Sequence, residues 1–345
     1  MARSHLTLAA LAASAVPGLD AVAAAPFGTG DGDFDSAVIT ARDGAHWLIR
    51  VPRNPRAEAE QSADLVALRA LSQGVRARLP FAVADFGGQV PVDGTRAIVS
   101  TFVYGAKVPV SSWDSTLAAS VGTAIGALHA LPSSVVADAG LPTLTAGECQ
   151  RSCMTVADRA AATGLVPASL VGRWERALED AKLWQFQPAV IHGGLTSDVV
   201  LSSDGTVTGI LSWHDLRVGD PARDLQFVLG SRDEGIVESA LGAYQRSRGA
   251  HDRQLMERAR LYSELELAQW LLHGTETRDS SIVDDAVELL SSLADSLRND
   301  VMDQIGAKTM PTFRTVILFT PELSTISIRN EDSCRNSSKF ARGSL

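Results

Sequence analysis

The sequence predicts an α+β protein of two lobes, a small β-rich one followed by a larger helical one. Strand-like runs with one helix dominate up to residue 104, and helix-period patterns dominate from 105 to 300. A length of 345 residues accommodates two lobes, and no 20–50-residue period repeats, which excludes a solenoid. Residues 301–345 form a third, atypical segment, poor in alanine and rich in Ser, Thr, Asn and Ile.

In order along the chain, Arg3 precedes an apolar run from Leu6 to Val16, followed by the small residues AVAAA. This start reads either as a signal peptide or as a short helix ended by Pro17-Gly18 and followed by a strand. Phe27-Gly28-Thr29-Gly30-Asp31-Gly32-Asp33 is glycine-rich, the composition of a phosphate cradle, but Asp31, Asp33 and Asp35 would crowd negative charge against a triphosphate. A plain loop entering a strand is the competing reading. Ser36–Ala41 and His46–Val51, joined by Arg42-Asp43-Gly44-Ala45, predict a hairpin because Asp-Gly favours the turn. A helix follows over Pro55–Ser72, with Leu65, Leu68 and Leu71 near helical spacing, then strands over Phe81–Phe86 and Ala97–Val103.

Helices are expected at Leu117–Leu131, Ala157–Thr163, Ser169–Leu183, Ser231–Arg246, Leu255–Leu272 and Ile282–Leu297. Short strands interrupt them at Ala189–Ile191, Val199–Leu201 and Val207–Trp213. In the tail, TVILFT at 315–320 reads as a strand with no neighbour to pair with. It is an added edge strand, part of a disordered tail or sequence foreign to the domain.

Composition narrows the function classes. The chain is 45% hydrophobic and 21% charged, with a net charge of −9, so whole-chain attraction to nucleic acid or anionic lipid is not expected. No apolar stretch approaches the ~20 residues that span a bilayer, and a cytoplasmic location is expected. Cys149, Cys153 and Cys334 cannot make a disulfide framework, and no His stands at metal-ligand spacing from them. Cys149 and Cys153, one helical turn apart, read as small residues on one helix face. Arginine outnumbers lysine 27 to 4, a compositional habit from which no function is taken.

The chemistry-bearing stretch is Val190-Ile191-His192-Gly193-Gly194-Leu195-Thr196-Ser197-Asp198-Val199-Val200-Leu201. A turn at Asp204-Gly205 follows, and then Gly209-Ile210-Leu211-Ser212-Trp213-His214-Asp215-Leu216-Arg217-Val218-Gly219-Asp220-Pro221-Ala222-Arg223-Asp224-Leu225. This order resembles the aminoglycoside and macrolide phosphotransferases, small-molecule kinases with a protein-kinase-like fold, which read HGDLxxxN, a hairpin, then IDWxDARVGDPAxDL. WLIRVPR at 47–53, LHALP at 128–132, RWERALED at 173–180 and LWQFQP at 183–188 look most like the macrolide phosphotransferase-like branch. The resemblance covers about residues 5 to 300 and implies a kinase-like fold.

The departures from that pattern fall on the chemistry. The family's catalytic Asp, third in HGD, is Gly194; its metal-holding Asn falls on Val199; the Asp of IDW, the main Mg²⁺ ligand, falls on Ser212. Phosphoryl transfer rests on positioning and on metal-assisted charge stabilisation, so loss of all three leaves little activity. Asp198 and Asp215 are the neighbours that could substitute. The resemblance implies that Arg50 takes the place of the lysine on the α/β-phosphates, with Glu60 or Asp64 as its helix partner, and that Ser100, Thr101 and Phe102 belong to the purine-contacting hinge. Arg50 on an exposed strand face is the plainer alternative. His192, Asp220 and Asp224 read as loop-holding residues. The expectation is a catalytically impaired family member that binds a small molecule, a nucleotide or a protein. The alternatives are an active ATP- or GTP-dependent, Mg²⁺-dependent antibiotic phosphotransferase with displaced ligands, and a structural protein with a closed cleft.

Overall fold

The computed structural model describes residues 3–28, 32–231 and 233–303. Thr29, Gly30 and Asp31 of the glycine-rich loop and the expected tail strand at 315–320 lie outside the described residues. The chain begins with helix α1 (His5–Ala15), capped by Ser4, whose side chain accepts from Thr7 N–H. Pro17 and Gly18, the latter at φ +81°, end it, and strand β1 (Ala21–Pro26) follows. The apolar start is therefore helix and strand, the second of its two readings. Strands β2 (Phe34–Ala41) and β3 (His46–Pro52) form the expected hairpin. Helix α2 (Pro55–Ala70) starts on the Asn54 cap with Pro55 in its first turn, and the one-turn α3 (Gln73–Arg76) follows. Strands β4 (Phe86–Val92) and β5 (Thr95–Thr101) complete an antiparallel sheet of order β1-β2-β3-β5-β4.

Alternation along β2, β3 and β5 gives this sheet two unlike faces. Ala37, Ile39, Ile49, Val51, Ala97 and Val99 pack beneath Leu8, Ala12 and Val16, making a small core of their own. Phe34, Leu48, Arg50, Ile98 and Ser100 point the other way, into the cleft between the lobes. The strand expected over Phe81–Phe86 is not one. The sheet strand begins at Phe86, and the segment before it crosses to the second lobe, where Ala82 N–H donates to Thr208 O (2.8 Å) and Ile210 N–H donates to Ala82 O (3.2 Å).

The second lobe contains β6 (Ala106–Lys107), α4 (Ser115–His129), α5 (Ser134–Ala137), α6 (Ala146–Ala162) and α7 (Ala168–Glu179). It continues with β7 (Ala189–Ile191), β8 (Val200–Ser203), β9 (Thr206–Ile210) and β10 (Arg217–Gly219), then α8 (Glu234–Arg248), α9 (Leu255–Thr277) and α10 (Ser280–Asp303). β6-β8-β9 and β10-β7 are two small sheets. Helix α6 starts at Ala146 rather than Ala157, because Thr145 and Glu148 form a capping box. Cys149 and Cys153 are both buried on that helix, and burial pushes their thiols up, to about 11 and about 12. Two buried charges of this lobe are paired: Arg258 takes Asp220 and Asp252, and Glu264 receives Arg173 and the Trp174 indole. Among the described residues no helix is long and apolar enough to cross a membrane.

Candidate active-site cleft

Strand β7 leads into the loop His192-Gly193-Gly194, which the Asp224 carboxylate holds in place. It accepts from His192 N–H (2.7 Å), Gly193 N–H (2.8 Å) and His129 Nε2 (3.1 Å). Burial is the largest influence on Asp224 and pushes its carboxyl up, but these bonds and the neighbouring imidazoles outweigh it and hold it below its ordinary range. His192 is buried, with Nε2 on Leu211 O (2.8 Å) and its ring 4.8 Å from that of Trp213. Asp220 accepts from Ala222 N–H (2.9 Å) and from Nε and Nη2 of the Arg258 guanidinium. These three residues thus bond to backbone and to one another's supports, around the loop.

The three departures from the family pattern lie beside or within the cleft. Gly194 presents no side chain; a Cβ built there would meet only Asp215 Oδ2, at 3.5 Å. Val199 is 8% exposed and lines the cleft from the core side. Ser212 also lines it, in the left-handed conformation (φ 62°, ψ 59°), a strained backbone for a residue other than glycine. Of the proposed substitutes, Asp198 borders the cavity, while Asp215 is tied to Arg217 at 2.5 Å.

Arg50 faces the cavity instead of solvent, with its guanidinium 3.7 Å over the Phe34 ring and its Nε buried without a partner. Glu60 and Asp64, the expected helix partners, both attract the Arg50 charge without coming within ion-pair distance. Glu60 pairs with Arg56 (3.0 Å), and Asp64 accepts from Trp213 N–H (2.6 Å), tying α2 to the second lobe. Burial pushes the Asp64 carboxyl up, against the pull of Arg50. Of the hinge residues, Ser100 reaches the cavity; Thr101 Oγ1 accepts from Asp85 N–H (2.8 Å), and Phe102 N–H is taken by His46 O (3.0 Å). Phe102 stacks edge-on with Phe27 and Tyr104. Among the polar cleft residues, Gln61, Lys107 and His214 were not singled out from sequence. Gln61 lies one turn from Asp64 in the interior of α2, and Lys107 sits on the two-residue strand β6. The scarcity of lysine was the available signal for Lys107.

The cavity between the lobes is about 130 Å³, below the ~300 Å³ at which drug-sized pockets begin. Mg²⁺ takes oxygen ligands, usually one or two carboxylates with phosphate oxygens and water. Among the described residues no three His, Cys, Asp or Glu side chains converge to hold a metal. Glycine, a buried valine and a serine occupy the positions where the resemblance places the base and both ligands. None of these three side chains offers the carboxylate or amide oxygen that the family pattern has there.

A sheet-and-helix lobe joined to a helical lobe, with a cleft between them, is a kinase-like α+β architecture. The sequence profile of the phosphotransferase enzyme family matches residues 27–295, and the chain belongs to that family. It is similar in fold to macrolide 2′-phosphotransferase MphH from Brachybacterium faecium, at 24% identity and TM-score 0.69 over 82% of this chain and 96% of that one. Macrolide 2′-phosphotransferase type I matches at 25% identity and TM-score 0.66, over 83% of this chain and 96% of that one. A GDP complex of aminoglycoside 2′-phosphotransferase-IIIa matches at 19% and 0.68, over 85% and 99%. An uncharacterized protein of Bacillus subtilis strain 168, YcbJ, is 26% identical over 60% of this chain and 70% of its own length.

Proposed function

We propose that this protein is a phosphotransferase-family member that binds a small ligand between its lobes without transferring a phosphoryl group. The observation that carries the reading is the side chains at three positions together: none at Gly194, a buried hydrocarbon at Val199, a neutral hydroxyl at Ser212. A kinase whose base and metal ligands are gone lacks the groups that position the nucleophile and neutralise the charge developing on the transferred group. Asp215 does not replace them well, because Arg217 holds its carboxylate. The small volume and the packing of Phe34 on Arg50 agree with a site that no longer accommodates a full nucleotide.

The second reading, an active enzyme with displaced ligands, is favoured by one observation, the position of Asp198 at the cavity wall. Purified protein incubated with ATP or GTP, Mg²⁺ and macrolides or aminoglycosides separates the two. The expected result is no phosphorylated product above background. Mg²⁺-dependent turnover approaching the roughly 1–100 s⁻¹ of ordinary kinases establishes the second reading and ends the first.

A further inference from the structure

A second cavity lies outside the cleft, at the end of the five-stranded sheet opposite Thr101. It measures about 720 Å³, within the range of small-molecule sites. The start of β2, the end of β3, the first turn of α2, the turn between β4 and β5, and Arg3 ahead of α1 enclose it. It shares no lining residue with the cleft.

A buried ion triad anchors this cavity. Asp35, its side chain 2% exposed, accepts from Arg3 Nη1 (2.9 Å) on one oxygen and from Arg53 Nε (2.7 Å) on the other. Burial pushes the Asp35 carboxyl up, but the bonds from the two guanidiniums outweigh it and hold it below its ordinary range. Arg3 also donates to Asp93 Oδ2 (2.6 Å). Both arginines of the cavity are therefore committed to the carboxylates of its own walls. The lining holds three carboxylates, Asp35, Glu58 and Asp93, against those two guanidiniums. Among the described residues the half-buried Glu58 carboxylate forms no hydrogen bond or ion pair, and Asp93 bonds through Oδ2 alone. The Thr95 hydroxyl, in the same wall, is buried without a partner.

The cavity thus lacks one positive charge and a set of N–H donors. Among the described residues no three His, Cys, Asp or Glu side chains converge to hold a metal ion, which favours an organic cation. A guanidinium suits the walls better than an ammonium. Its N–H groups lie along several edges of one plane and match carboxylates in pairs, as Arg53 matches Asp35. Its weakly hydrated faces can rest on apolar surface, and the rings of Pro52 and Pro55 supply that here. We propose that this cavity binds a small molecule carrying an alkylguanidinium group, with its N–H groups on the Glu58 and Asp93 carboxylates.

Ligand-observed NMR titration of the full chain with butylguanidinium at fixed ionic strength tests the proposal, with butylammonium as the charge-matched control. Saturable binding of butylguanidinium is expected, severalfold tighter than that of butylammonium. Glu58→Gln removes the unpaired carboxylate and is expected to weaken binding about tenfold, the scale of one charged hydrogen bond. Its melting temperature should stay near the parent's, since that carboxylate has no partner to lose. Asp93→Asn should also weaken binding, and Asn accepts the left-handed φ of 46° found there. Asp138→Asn, at an exposed acid of the second lobe, leaves binding unchanged. The proposal is overturned if butylguanidinium does not saturate, or if butylammonium binds as tightly. It is overturned equally if Glu58→Gln and Asp93→Asn both bind as the parent does, or if Asp138→Asn weakens binding as much as they do.

Discussion

Adjacent glycines in the cleft loop carry opposite constraints. Gly193 sits at φ +86°, and a Cβ there would fall 2.5 Å from Asp215 O and 2.9 Å from Arg217 Nε. Gly194 has neither restriction, since its Cβ would meet only a carboxylate oxygen at ordinary contact distance. Gly193→Ala is expected to lose about 2–4 kcal/mol, combining the left-handed penalty with a backbone collision. Gly194→Ala should stay within about 0.5 kcal/mol of the parent. Urea denaturation of the two variants checks this; equal losses would mean the loop is not held as described. At this scale much of the site was legible. The run from His192 to Asp224 contains Asp198, Val199 and Ile210 to His214, which line one wall of the cavity. Lys107 and Gln61 were not legible, because their importance comes from a cavity assembled by residues far apart in the chain. The choice between Glu60 and Asp64 as the partner of Arg50 was left open by the sequence for a related reason. Asp64 is drawn to a backbone N–H of the other lobe, a group that no side-chain pattern reveals.

Helix α1 is the element whose role the sequence left open, since Leu6 to Val16 suits a leader as well as a packed helix. In the structure it packs on the sheet. One face of β2, β3 and β5 carries Ile39, Ile49 and Val99, each fully buried, and Leu8, itself 1% exposed, is part of what covers them. Leu8→Ala should therefore cost about 2–5 kcal/mol as a core truncation, whereas Leu6→Ala, at a side chain 68% exposed, should be close to neutral. A Leu8→Ala variant as stable as the parent in denaturant would show that α1 does not close this core. The early start of α6 was readable in principle, because Thr145 and Glu148 have the spacing of a capping box, and Ala-rich sequence without strong periodicity obscured it. The segment from Phe81 was misread for a physical reason. Its backbone does make extended-chain hydrogen bonds, but to the other lobe's strand and not to the sheet that precedes it in sequence.

Across the whole molecule, acid sensitivity is expected to begin with a histidine. His192 donates from Nε2 to Leu211 O, and Nδ1 accepts from Gly194 N–H at 3.3 Å, the pattern of a neutral ring. Burial lowers its pKa more than the nearby Asp224 raises it. The folded state thus resists a proton that the unfolded chain takes up near pH 6.5. Stability from this group is present above that pH and is lost as pH falls toward the folded value, by at most about 1.4 kcal/mol per pH unit. The urea midpoint should hold from pH 8 to 7 and decline between pH 6.5 and 5.5, and His192→Asn should reduce that slope. An identical slope in the variant would assign the decline to other groups. The two-lobed α+β architecture was fully legible, since a β-rich stretch followed by a helical one survives errors in single elements. What composition and period do not encode is how the lobes are joined.

That junction has a consequence for how the cleft moves. Besides the covalent passage after Thr101, the lobes share the two backbone bonds at Ala82 and the bond from Trp213 N–H to Asp64. Rotating one lobe against the other would break all three, so rigid-body opening is restrained on the microsecond-to-millisecond scale on which hinged enzymes close. Side chains inside the cleft are under no such restraint. Phe34 can leave the Arg50 guanidinium by a rotamer change in nanoseconds or less. The amides of Ala82, Ile210 and Trp213 should exchange with solvent together, as one unit that spans both lobes.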